Sequence, residues 1–240
     1  SLFTALSFWC ILKWERVKHE HGSDRWLILI AYTLGLAVGL HLLNLLVIPA
    51  VVYYYYFHRY EYSRKGLYIS TAIGLVALGA MQAVILPGLP KVAAIFDRMF
   101  VNSMGMPYNT GVLFFVALFL GLLSYGIYYT LKTNRTIANL VLNCILFVFL
   151  GYSSYAMVVI RSLADPAIDM NNPEDAYTLT SYINREQYGS RPLVYGPYYN
   201  AQYTGIDEGA MQYRKGKEKY EEVGNKLEPE WDPKYCTYFP

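Results

Sequence analysis

Four polar side chains stand inside or at the edge of otherwise apolar sequence: His41, Asn44, Asn143 and Arg161. His41 and Asn44 are three residues apart in G-L-H-L-L-N-L-L, so on a helix they share a face. Polar groups at membrane depth cost free energy and turn towards a protein interior or a wet cavity. Two uses fit the pair: lining such a cavity, or a hydrogen bond between helices that contributes about 0.6–2 kcal/mol. Arg161 closes the last apolar run. Its guanidinium could hold a lipid phosphate in bidentate fashion, or simply anchor the helix at the interface. General acid–base chemistry needs an acid placed at a reacting atom. The acids before Arg161 are Glu15, Glu20, Asp24, Glu61 and Asp97. Four fall in basic loops, and Asp97 falls on the polar side of an amphipathic stretch, where solvation is expected. No nucleotide-phosphate loop, metal constellation or nucleophile triad occurs, so no catalytic residue and no metal ligand is assigned. The cofactor question stays open, and nothing points to nucleic acid.

The elements that must carry these residues are membrane helices. Of 240 residues, 55% are hydrophobic and only 16% charged, the profile of an integral membrane protein. Up to Ile160 there are 11 basic and 5 acidic residues; from Arg161 on there are 9 and 13. That shift divides a transmembrane domain, 1–160, from a water-exposed region, 161–240. Residues 26–57 are almost uninterruptedly apolar yet basic at both ends. One helix of that length would run about 48 Å, against a hydrocarbon core of about 30 Å. Cytoplasmic flanks collect Lys and Arg, so two basic flanks argue for a bent pair of short helices, 26–40 and 41–57, entering and leaving on one side. The alternative is a single tilted crossing. In the hairpin reading the basic loops 13–25, 58–65 and 132–135 share the cytoplasmic face.

Around that pair the sequence predicts a short first segment at 1–12 and spans at 67–86, 112–131 and 137–160. Pro87, Gly88 and Pro90 are expected to stop the 67–86 helix. Val92, Ile95, Phe96, Met99 and Phe100 recur at helical spacing, which predicts an interfacial helix over 91–104 with Phe96, Phe100 and Asn102 at the membrane surface. Gly35 and Gly39 form a G-x-x-x-G that permits close helix approach. V-Y-Y-Y-Y-F at 52–57 reads as an aromatic belt. Asn134-Arg-Thr136 matches a glycosylation acceptor, but its cytoplasmic placement discounts it. The three cysteines lack metal-ligand or redox spacing.

In the tail, Asn172-Pro173-Glu174-Asp175 predicts a helix start with Asn172 as N-cap, running towards Gln187. Pro192–Tyr195 reads as a buried strand, and 212–238 as hairpin strands. Eleven tyrosines follow Arg161. They suit sugar stacking or, more plainly, a strand surface.

Longer words then become recognisable together: G-L-A-V-G-L-H-L-L-N-L-L-V-I-P-A (35–50), F-V-N-S-M-G-M-P-Y-N-T-G (100–111), G-Y-S-S-Y-A-M (151–157), N-N-P-E-D-A-Y (171–177), Y-I-N-R-E-Q-Y-G (182–189) and W-D-P-K-Y-C-T-Y-F-P (231–240). In order and over nearly the whole chain they resemble a family of large bacterial membrane proteins, formerly of unknown function, grouped with the protein O-mannosyltransferase-like GT-C glycosyltransferases. The resemblance implies a mainly α fold: a polytopic helical membrane bundle of GT-C type with a small α+β extramembrane tail. It implies a transferase in the bacterial inner membrane that moves a sugar from a polyprenyl-phosphate donor to a periplasmic acceptor, with protein the expected acceptor and the tail in the periplasm. His41, Asn44 and Arg161 would border the donor cavity. The family's general base lies in its first outward loop, which places it upstream of an internal fragment such as this one. The rivals are a noncatalytic membrane scaffold and, less favoured, a transporter.

Overall fold

A computed structural model of the chain describes residues 2–189 and 194–238. The protein is mainly helical, with two small antiparallel two-stranded sheets in its C-terminal part. It divides into two compact units: Ser1–Leu89 with Phe114–Ala164, and Pro90–Leu113 with Asp165–Pro240.

The first unit opens with α1 (Leu2–Val17), α2 (Arg25–Val38) and α3 (Val47–Arg59). At 14 and 13 residues, α2 and α3 are each about 20 Å long, too short for a 30 Å hydrocarbon core. Between them the chain turns through a 3-10 segment, Leu42–Leu46. It comes back to where it began. Arg59 Nη2 lies 4.0 Å from Asp24 Oδ1, and Lys18 Nζ donates to the His58 carbonyl at 3.5 Å. The two basic flanks of the 26–57 run therefore meet at one end of the unit, and the polar turn lies at the other. Loop 132–135 joins the basic end, because Asn134 and Asp24 line the same cavity. Cys10, Ile11, Trp14, Leu27, Ile30, Leu34 and Val47 form a buried cluster between these helices.

Among the described residues, three helices are long and apolar enough to cross a membrane: Arg64–Met104, Thr110–Lys132 and Thr136–Ser162. The first joins α4 (Arg64–Ala80) to α5 (Leu86–Met104) through a π-helical turn, Met81–Ile85. The stop expected at Pro87–Pro90 does not occur. The widened π turn precedes Pro87, and a proline near the start of a helical segment loses little. Pro90 cannot donate to the Leu86 carbonyl four residues back, but the Tyr152 hydroxyl donates to that oxygen at 2.9 Å. A carbonyl orphaned by proline is thereby satisfied, and the helix runs on.

Thr110–Lys132 is α6; Thr136–Tyr152 is α7, continued through a 3-10 turn into α8 (Ala156–Ser162). α6 and α7 face each other antiparallel. The Phe119 and Phe149 rings are 4.9 Å apart, and Asn139 Nδ2 donates to the Ile127 carbonyl and to Thr130 Oγ1, both at 3.0 Å. α2 crosses α7 at two glycines. A Cβ on Gly35 would stand 2.3 Å from the Val148 carbonyl oxygen, and one on Gly151 2.5 Å from that of Tyr32. Gly35 thus has the close-packing role that the G-x-x-x-G spacing suggested.

In the second unit, α5 presents Ala93, Ala94, Asp97 and Val101 to the protein, a stripe at spacings of one, three and four residues. Val92, Ile95 and Met99 are exposed on the other side. α9 runs Ala176–Ile183, three residues later than an Asn172 cap predicts. Asn171 and Asn172 both take positive φ, so the chain is still turning there, and Asp175 is the N-cap instead. Asp175 Oδ1 accepts from the Tyr177 and Thr178 amides at 2.7 and 3.1 Å, while Thr178 Oγ1 accepts from the Asp175 amide, completing a capping box. β1 (Tyr195–Pro197) pairs antiparallel with β4 (Cys236–Tyr238), and β2 (Tyr203–Lys215) with β3 (Tyr220–Trp231). Of the strand read at 192–195, Pro192 and Leu193 lie outside the described residues. Val194 is 60% exposed, so the burial inferred for it is corrected.

Candidate functional site

Each predicted site residue has a definite place. His41 is exposed at the turn between α2 and α3, where its Nδ1 accepts from the Leu43 amide at 3.1 Å. Extended backbone at His41 (φ −162°) makes this a side-chain cap of the 3-10 segment. With Nδ1 as acceptor, the neutral ring carries its proton on Nε2, which points a donor away from the cap. Asn44 goes the other way. It is 4% exposed, and its Oδ1 accepts from Thr4 Oγ1 at 2.6 Å, tying α1 to the turn. The two side chains share a turn and take different jobs: His41 caps the 3-10 segment, and Asn44 within it reaches inward to α1. Arg161 is exposed in the last turn of α8. Among the described residues no polar contact joins it to His41. α8 nevertheless starts from the His41 end, since Tyr155 donates to the Val38 carbonyl at 3.3 Å.

The second unit holds a polar cluster around Asp97 that the sequence pattern does not foretell. Asp97, expected to be solvated, is completely buried. Its Oδ1 accepts from the Gly111 amide at 3.0 Å; its Oδ2 accepts from the Asn109 amide at 3.1 Å and the Tyr220 hydroxyl at 2.7 Å. Gly111 must be glycine for this, as a Cβ there would stand 2.4 Å from Asp97 Cα. Asn102, expected at the membrane surface, pairs with Tyr220 like one strand with another: Nδ2 donates to its carbonyl and Oδ1 accepts from its amide, both at 2.9 Å. Phe96 and Phe100 are half-buried on the same helix. Tyr108 and Tyr177 pack edge-on against the Tyr220 ring, and the Arg98 guanidinium lies 3.9 Å from the Tyr213 ring centre.

Burial, and then the carboxylate that it serves, push the Tyr220 phenol far above its ordinary range. Burial also raises Tyr177, against an opposing pull from Arg98, and raises Tyr108. All three hydroxyls therefore stay protonated at neutral pH. Chemically the arrangement is an anchor: Asp97 has three donors and its lone pairs are engaged, which suits holding a strand on a helix better than abstracting a proton. The available signal was an acid in phase with Ala93, Ala94 and Val101.

A further cluster lies at the basic end of the first unit. The Tyr54 hydroxyl donates to Glu15 Oε2, and His58 Nε2 lies 2.7 Å from Glu15 Oε1. His58 Nδ1 lies 2.9 Å from the Tyr54 carbonyl, so both ring nitrogens face oxygens. Among the described residues, no group of three His, Cys, Asp or Glu side chains could hold a metal ion.

Against known proteins, no curated protein and no solved structure matches the chain. Residues 189–240 match a family of unknown function (DUF8416). Residues 1–64, the stretch that forms α1, α2, the polar turn and α3, are similar to the family described as Protein O-mannosyl-transferase TMEM260 N-terminal domain.

Proposed function

We propose that this chain is part of an integral-membrane glycosyltransferase of GT-C type, which takes a sugar from a polyprenyl-phosphate donor and transfers it to a protein acceptor on the periplasmic side of a bacterial inner membrane. The observation that carries the reading is the likeness of residues 1–64 to an O-mannosyl-transferase N-terminal domain. That stretch is also where two helices too short to span bring a polar turn to the end opposite the basic loops. Basic loops mark the cytoplasmic side, so the His41 turn faces outward in this reading. There the Nε2–H of His41 can donate to a donor phosphate, and Arg161, leaving the same end on α8, can add a guanidinium. Asn44 supports the turn from beneath through Thr4 rather than contacting the donor. The tail then lies in the periplasm.

The test is mass analysis of periplasmic protein glycans with and without the full-length gene. Loss of a hexose-bearing peptide set supports the transferase; an unchanged profile would support a scaffold. His41→Ala in the full-length protein is expected to lower transfer at least tenfold at unchanged abundance. Equal loss of both would assign His41 to the cap alone. Cysteine labelling in loop 58–65 checks the orientation, which labelling from the outside overturns.

A further inference from the structure

A cavity of about 230 Å³ opens at the basic end of the first unit, between the start of α2 and the α6–α7 hairpin. Its lining is partly apolar, from Ile28, Leu131 and Leu140, and partly polar, with Asp24, Asn134 and Asn143. Two of its asparagines belong to a hydrogen-bonded ladder. Asn143 Nδ2 donates to Asn139 Oδ1 at 3.0 Å, and Asn139 Nδ2 to Thr130 Oγ1 at 3.0 Å. The ladder consumes the Asn143 donor and leaves its Oδ1 as an acceptor. Asp24 adds a carboxylate whose Oδ1 is buried without a hydrogen bond, the Arg59 guanidinium being 4.0 Å away. The cavity thus offers acceptors, with cations nearby in Arg59, 4.0 Å from Asp24, and in Lys132 and Arg135, which adjoin the lining residues Leu131, Asn134 and Thr136 in sequence. Leu131, Ile137 and Val141 leave apolar surface exposed on the same hairpin, whose two helices are long enough to span.

From this arrangement we infer that the cavity binds the headgroup of an aminophospholipid in the leaflet at the basic end. The primary ammonium sits between Asp24 and Asn143, the phosphate meets the flanking cations, and the acyl chains run along the exposed apolar side of α6 and α7. A primary ammonium has three donors for the acceptors on offer. A trimethylated one has none, and an uncharged glycerol headgroup lacks the charge that Asp24 answers. This site differs from the donor site proposed above in ligand, leaflet and residues.

Native mass spectrometry of the full-length protein, with phosphatidylethanolamine, phosphatidylcholine and phosphatidylglycerol supplied in equal amounts, tests it. Phosphatidylethanolamine is expected to be retained at least fivefold over either competitor, and Asp24→Asn and Asn143→Leu to reduce the preference to less than twofold. Equal retention of the three lipids by the wild type overturns the proposal whether or not the variants fold. So does an undiminished preference in Asp24→Asn that elutes as a single species. Displacement of the lipid by millimolar water-soluble phosphoethanolamine would show a solute site, and would overturn the lipid assignment.

Discussion

The two units solve the same problem, bringing backbones together across long sequence separations, with opposite chemistry. In the first, α2 meets α7 where Gly35 and Gly151 remove side chains altogether, so the contact is carbonyl against Cα. Such packing suits a medium in which apolar surface gains little from association and close dispersion contact does the holding. In the second, a β-hairpin is held to α5 by a buried carboxylate with three donors and an asparagine that imitates a strand edge. Here the polar groups are removed from water, so Asp97 and Asn102 each need their partners, while the buried Tyr177 hydroxyl has none. Gly111 unites both solutions, its missing Cβ letting its amide reach Asp97. The lesson is that one contact fails by overfilling and the other by subtraction.

Four substitutions in the full-length protein would break or sharpen that contrast. Gly151→Leu should be the most damaging. Its first carbon alone would stand 2.5 Å from the Tyr32 carbonyl oxygen, a backbone atom of a packed helix that cannot swing aside, so the usual overpacking cost of about 1–3 kcal/mol is a lower bound and the outcome is loss of monodisperse protein after extraction. Asp97→Ala should follow, leaving two amides and a hydroxyl unsatisfied at roughly 1–3 kcal/mol each. Its signature should be local: faster proteolysis in the 216–219 turn of the β2–β3 hairpin. Tyr220→Phe removes one charge-assisted bond and should cost about 1.5–3 kcal/mol, with the same cleavage at an intermediate rate. Thr4→Val should be mildest, about 0.6–1.7 kcal/mol, seen as a small fall in thermal midpoint. If Asp97→Ala proved harmless while Gly151→Leu did not, the polar cluster would be decoration rather than an anchor.

How far the sequence was readable varies with the range of the interaction. Gly35 was readable because its G-x-x-x-G pattern is local, although its partner Gly151 was not. The length and flanking charge of 26–57 pointed to a reversal, and Asp24, Lys18, His58 and Arg59 do meet at one end. Pro87 and Pro90 misled, since a π turn and a hydroxyl from Tyr152, 66 residues away, rescue the helix. Asn172 lost the N-cap to Asp175, whose Thr178 partner completes a reciprocal pair that Asn172-Pro173 lacks. For the candidate site, His41 and Asn44 were readable as polar residues in an apolar run. Their division into an exposed cap and a buried anchor required the turn between them.

By itself, the sequence determined what one-dimensional pattern can encode: long apolar helices, the basic loops between them, and strands in the tail. Hydropathy and charge act locally, so their record along the chain is complete. Which acid is buried, which carbonyl is rescued and which amides share a cavity were decided only in three dimensions. Asp97 reads as solvated until Tyr220, 123 residues later, donates to it. A buried polar group is stable only with its partner, and that partner is chosen by the fold.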